Sequence, residues 1–127
     1  MSKLEALIKQ FEKALGRLQE ALVLPKTDIV RDSAIQRFEF TLDLSWKTLK
    51  AFLEDKKGIV CASPKECFRE AYRQKVIDYD DAWIKLVDMR NETVHTYKEE
   101  LAEEIFAQLP SALKHFEFLK ESIKKQI

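Results

Sequence analysis

Eight consecutive residues, Arg90-Asn91-Glu92-Thr93-Val94-His95-Thr96-Tyr97, bring together side chains suited to handling a phosphate. An arginine neutralises an oxyanion through its forked donors. A histidine can accept or release a proton near neutral pH. A tyrosine adds a hydroxyl beside them. Attack of an RNA 2′-OH on its own phosphate needs those two services, charge neutralisation and proton transfer, and no metal. Nucleotide binding would use the same groups, and residue chemistry alone leaves both open.

Arg90 shares a helical face with Trp83, Leu86 and Val87, a stripe that Val94 would extend. An unpaired charge on an apolar stripe is costly, so Arg90 needs a partner, with Glu92 and Asp43 as candidates. A structural salt bridge would explain the arginine as well as a catalytic role would. In one straight helix Arg90 and His95 would point about 140° apart. The stretch Thr96-Tyr97-Lys98-Glu99 reads as a capping box. It starts a helix at Thr96, leaving His95 just outside and Tyr97 in the first turn. The motif then straddles a helix end, a tight turn and a helix start, and a helix N-terminus attracts anions.

The elements that must position this segment are helical. Leu4, Leu7, Ile8, Phe11, Leu15, Leu18 and Leu22 recur at three- and four-residue steps, one face of a first helix that ends before Pro25. Gly16 interrupts it and suits close approach of another helix. Thr27 or Asp28 caps a second helix running to about Lys57, with Gly58 as its stop. This helix carries two stripes, one through Ala34, Ile35, Phe38 and Leu42, the other through Phe40, Leu44 and Ala51. A surface helix needs one apolar face, so the second stripe predicts either a central position in the bundle or a second contact outside it. In a chain this small a subunit interface, and with it a homodimer, is expected.

Ser63-Pro64-Lys65-Glu66 is a capping box for a short third helix to about Lys75. Asp78 or Asp80 starts the fourth. A long last helix buries Leu101, Ile105, Leu109, Phe116 and Ile123, with His115 in a structural position and a kink expected at Pro110. The fold expected is all-α, an up-and-down antiparallel bundle of about five helices, four long and one short, in one domain spanning residues 1–127.

Composition narrows the function classes. Lys+Arg and Asp+Glu are 22 each among 127 residues, a balance that argues against a general duplex-coating protein. Gly and Pro total five, too few for a many-turned β-fold. Two histidines nearly exclude a multi-histidine metal site, and no Gly-rich phosphate loop or serine elbow is present. No metal or other cofactor is therefore expected. Cys61 and Cys67 lack zinc spacing and nearby ligands and read as reduced thiols of a cytoplasmic protein. No stretch is apolar enough for a signal peptide or a membrane span.

Arg90-x4-His95-x-Tyr97 resembles the R-x4-H-x-Y signature of HEPN domains. The run from Arg37 to Lys50, Ser63-Pro64-Lys65-Glu66, Asp80-Asp81-Ala82-Trp83 and the segment 90–97 resemble the bacterial nucleotidyltransferase substrate-binding subfamily in order along the whole chain. The resemblance implies a dimerising helical bundle and a minimal nucleotidyltransferase partner. In its toxin–antitoxin members, HepT and MntA, the HEPN chain is a metal-independent ribonuclease silenced by AMP placed on the signature tyrosine. Carried over, Arg90 and His95 are catalytic and Tyr97 is modified or nucleotide-binding, with Asn91, Thr96 and Asp43 in supporting positions. The alternative is a non-catalytic subunit that binds an RNA or nucleotide substrate for the nucleotidyltransferase.

Overall fold

A computed structural model describes all 127 residues, Met1–Ile127. It contains five α-helices and no strands: α1 Lys3–Leu22, α2 Asp28–Lys57, α3 Pro64–Arg73, α4 Asp81–Glu92 and α5 Glu99–Lys125, with a 3-10 turn at Thr93–His95. At 12 residues α4 is closer in length to α3 than to the three long helices. No helix is long and apolar enough to cross a membrane.

Local chemistry sets most boundaries. The Ser2 hydroxyl accepts from the Glu5 amide at the start of α1, and Thr27 does the same for Val30 at the start of α2. Gly58, at φ 67°, closes α2 in the left-handed region where a side chain would be strained. At α3, Ser63 accepts from the Glu66 amide while the Glu66 carboxylate reaches back to the amide of Ala62. Pro110 removes one backbone donor, yet α5 continues through it.

α1 and α2 form an antiparallel hairpin. The Thr48 hydroxyl on α2 donates to the Leu7 carbonyl on α1, and the Thr41 hydroxyl, bonded to Arg37 O within α2, stands 3.4 Å from the Ala14 carbonyl. The α3–α4 excursion returns the chain to the end where α2 began. Arg31, near the start of α2, therefore meets Glu99 and Glu103 at the start of α5, and the two helices run broadly in the same direction. The core is one cluster of 30 buried residues. Phe116 of α5 touches Phe11 at 6.2 Å edge-on and Phe38 at 6.1 Å, and on its other side Trp83 at 5.7 Å. Trp83 in turn stacks on Phe68 at 4.6 Å, so α3 and α4 join the long helices through aromatic contact.

Three expectations are corrected. Cys61 and Cys67 are joined in a disulfide, not free. The α3 cap explains the pairing: the Cys67 amide donates to Ser63 O, and Glu66 draws Ala62 in. The strap before α3 is thus folded onto its first turn, bringing the two Cα atoms to 5.2 Å, within bridging range. The inference from free thiols to a reducing compartment falls away. Gly16 is exposed and an added Cβ would meet nothing within 4 Å, so it serves no helix–helix approach. Val94 does not extend the α4 stripe but is 66% exposed.

The second stripe of α2 is half-buried. Leu44 and Ala51 pack partly on the core, and the Arg17 guanidinium lies 4.9 Å from the Phe40 ring centre.

Two substitutions test this packing. Gly16→Ala should stabilise the protein by ~0.5–1 kcal/mol, the helix-propensity difference at an exposed site. Phe116→Ala should destabilise it by ~3–5 kcal/mol by opening a core cavity. Urea unfolding of both against the parent measures the two effects.

Candidate functional site

Arg90 sits in the last turn of α4 with its side chain 27% exposed. Its stripe-mates Trp83, Leu86 and Val87 are buried. Of the two candidate partners, Asp43 of α2 takes it and Glu92 does not. Nε donates to Oδ1 at 3.1 Å and Nη2 to Oδ2 at 3.2 Å, a bidentate pair. Nη1 donates to the Thr93 hydroxyl at 3.4 Å, and the Glu39 carboxylate stands 3.9 Å away. The hydrogen bond to Asp43 raises the Arg90 pKa above its ordinary value against the opposing pull of burial, so the guanidinium stays charged.

The residues after Arg90 leave the helix through tight local bonds. Thr93 is buried, and its hydroxyl donates to Arg90 O at 2.7 Å. The Thr96 hydroxyl donates to Thr93 O at 2.8 Å, and the Lys98 amide to His95 O at 3.0 Å. The expected capping box at Thr96 is therefore absent. With its hydroxyl bonded backward, Thr96 cannot cap forward, and α5 starts at Glu99, after Lys98, without a side-chain cap. His95 lies in the 3-10 turn, and Tyr97 lies before α5 rather than in its first turn. Tyr97 is 76% exposed, its ring 6.1 Å from the His95 ring and 6.0 Å from the Lys98 ammonium.

The structure thus brings Arg90 together with Asp43 and Thr93, and His95 with Tyr97. No hydrogen bond joins Arg90 to His95, and exposed Asn91 makes no side-chain bond. Thr93 and Glu39 were missed by sequence reasoning. The signals were there: Thr93 is three residues after Arg90, and Glu39 is one turn before Asp43. His115 is a packing residue, with Nδ1 2.9 Å from Ser111 O and its ring edge-on to Trp83 at 5.8 Å.

A second arginine frames the turn from the other side. Arg31 of α2 is buried and contacts Asp32, Glu99 and Glu103 at 3.0, 2.8 and 2.9 Å. Lys26 also pairs with Glu103. Arg31 holds the Glu99 carboxyl below the usual carboxylate range, and Lys26 followed by Arg31 does so for Glu103.

This arrangement can be set beside known proteins. The family model described as nucleotidyltransferase substrate binding protein like matches residues 6–125. The chain belongs to the nucleotidyltransferase substrate-binding protein family. A curated relative from Haemophilus influenzae, named "Probable ribonuclease HepT", is 36% identical over 106 residues, covering 77% of this chain and 73% of that protein. A crystal structure from Thermus thermophilus is 39% identical with a TM-score of 0.85, covering 89% of this chain and 98% of that one. A structure from H. influenzae was described as the fold of a substrate binding domain of a nucleotidyltransferase. It is 29% identical with a TM-score of 0.71, over 95% and 96% of the two chains. Members of this family are thus associated with nucleotidyltransferases, and the segment 90–97 falls inside the matched region.

The Arg31 cluster sets an acid limit. A carboxyl whose folded pKa lies below its unfolded value stabilises the fold above the unfolded value, and that contribution is lost as pH falls through the folded one. Glu99 and Glu103 should therefore make stability fall as pH drops below about 4.3, the ordinary glutamate value. Arg31→Gln should lower stability at neutral pH and flatten this acid limb. Thermal melts between pH 7 and pH 3 show the difference.

Proposed function

We propose that this chain is a metal-independent endoribonuclease, working as a homodimer in a toxin–antitoxin pair, and silenced by AMP from a partner nucleotidyltransferase. The observation that supports it most is a permanently charged Arg90, held by Asp43 and Thr93, followed on the next turn by His95 and an exposed Tyr97 with their rings 6.1 Å apart. The 2′-oxygen of a ribose attacks the adjacent phosphorus as its proton leaves to a base. The P–O5′ bond breaks, and the 5′-oxygen takes up a proton. The products are a 2′,3′-cyclic phosphate and a 5′-hydroxyl. His95 handles a proton and Arg90 neutralises the charge gathering on the phosphoryl oxygens. A second copy would bring two such sets to one cleft.

A second reading has its own support. Asp43 engages two of the three guanidinium nitrogens of Arg90, so a substrate phosphate must compete with a carboxylate. A non-catalytic subunit that binds nucleotide for the transferase fits an arginine used structurally. It also fits the description given to the H. influenzae structure.

Unmodified protein incubated with RNA and EDTA separates the two readings. The nuclease reading expects cleavage unaffected by the chelator, and its loss in Arg90→Ala and in His95→Ala with the helical content unchanged. Light scattering should give about twice 14.9 kDa. Intact RNA across varied substrates selects the binding subunit.

Silencing runs through Tyr97. Its oxygen would attack the α-phosphorus of ATP, lose its proton and release pyrophosphate. The bulky anionic adenylate would then compete with RNA for Arg90. Mass spectrometry after co-expression with the partner transferase should find the adenylate on Tyr97, and Tyr97→Phe should escape it. Adenylate on Tyr72 or Tyr79 instead removes this mode of regulation.

A further inference from the structure

The face of α2 that holds Arg90 does not end at Asp43. At ~100° and ~1.5 Å per residue, Trp46, Lys47 and Lys50 lie within about 60° of Asp43 and about 4.5 to 10.5 Å further along the axis. These three side chains edge a groove of about 260 Å³, whose other walls are Lys3 and Leu7 of α1 and Ala51 and Glu54 of α2. Lys3 and Lys47 are exposed, while Trp46 and Lys50 are half-buried, with Trp46 packed in part against the core.

None of Lys3, Lys47 and Lys50 has a carboxylate partner. Net charge is zero over the chain, whereas the groove is lined by three lysines and a single carboxylate, Glu54, a local positive excess. One wall is aromatic. The Lys50 ammonium stands 6.0 Å from the Trp46 ring centre, the outer limit of a cation–π contact. It can swing to an anion and leave the indole face free.

We propose that this face of α2 is a binding track for single-stranded RNA leading away from Arg90, with a base stacked on Trp46 and neighbouring phosphates held by Lys47, Lys50 and Lys3. The identity of the ligand rests on the nuclease reading above; the track itself rests on the groove. Lysines along a backbone with an aromatic platform between them are the two components of single-strand binding. A duplex keeps its bases stacked on each other and offers no free ring face to the indole. Carboxylates bound the track at both ends, Glu39 and Asp43 beside Arg90 and Glu54 one turn past Lys50. The strand is therefore attracted to the stretch between them.

The test uses the full chain carrying His95→Ala, so that RNA is bound without being cut. A fluorescein-labelled oligouridylate is titrated at several salt concentrations, following anisotropy and tryptophan emission. The chain has two tryptophans, and Trp83 is buried against Phe68, so Trp46 reports contact. Emission should fall on binding, and Trp46→Phe, which keeps a ring in place, should abolish most of that fall. Trp46→Ala should weaken binding about tenfold or more. Lys47→Glu with Lys50→Glu should weaken it more than tenfold. Removing two phosphate contacts should also reduce the slope of log affinity against log salt by about 1.4.

Circular dichroism on each variant keeps folding defects apart from binding defects. Unchanged affinity and salt slope in the double lysine variant overturn the proposal, as does tryptophan emission that ignores saturating oligonucleotide. A double variant whose mass changes in light scattering while RNA binding does not makes this face a contact between copies, and the proposal fails. If the parent protein cleaves RNA but binding ignores these residues, the track fails and the nuclease reading stands. If the oligonucleotide binds through Trp46 and the lysines but the parent cleaves nothing, the track stands and the nuclease reading fails.

Discussion

Trp83 is the contact on which the placement of everything functional depends. Its indole is stacked on Phe68 and packed against Phe116, and through it the α3–α4 pair is fixed to the long helices. Arg90 lies two helical turns further along α4 and inherits its position from that anchor. The turn at residues 93–98 and the start of α5 follow directly. An aromatic cluster buries large apolar area with few rotatable bonds, so it holds the helix without loading the site with flexible side chains.

Electrostatics refines what packing places. Two arginine–carboxylate locks tie α2 to the segments on either side of the 93–98 turn. Arg90 with Asp43 secures the α4 side, and Arg31 with Glu99 and Glu103 secures the α5 side. Between them the backbone makes its own tight bonds, and the rings of His95 and Tyr97 project from it. α2 is thus the frame of the site as well as of the bundle. The carboxylate of Asp43 has two consequences at once: it orients the guanidinium, and it competes with any phosphate that approaches.

Much of this was legible from residue order because it is local. The caps at Thr27, Gly58 and Ser63 are decided by hydrogen bonds spanning a few residues, and the apolar repeats mark the buried faces directly. Arg90 stood out because a charge on an apolar stripe conflicts with its surroundings. The capping box at Thr96 misled for an equally local reason. The Thr96 hydroxyl has a backward acceptor, Thr93 O, as well as forward donors, and the 3-10 turn brings the backward one within reach. Arg31 was hidden because a lone arginine near a helix start looks like any solvated one until α5 is laid beside it.

The sequence by itself determined the all-α class, the positions of the helices and the presence of an Arg-x4-His-x-Tyr segment between the last two. Those are properties of periodicity and of bonds made within one turn. Only the tertiary structure decided that Asp43, and not Glu92, holds Arg90, that α5 runs alongside α2, and that Cys61 meets Cys67. It also decided that Trp46, Lys47 and Lys50 share a groove with Lys3. These outcomes depend on how packed helices cross and where the chain returns. Distances between residues far apart in the chain are settled by the core as a whole.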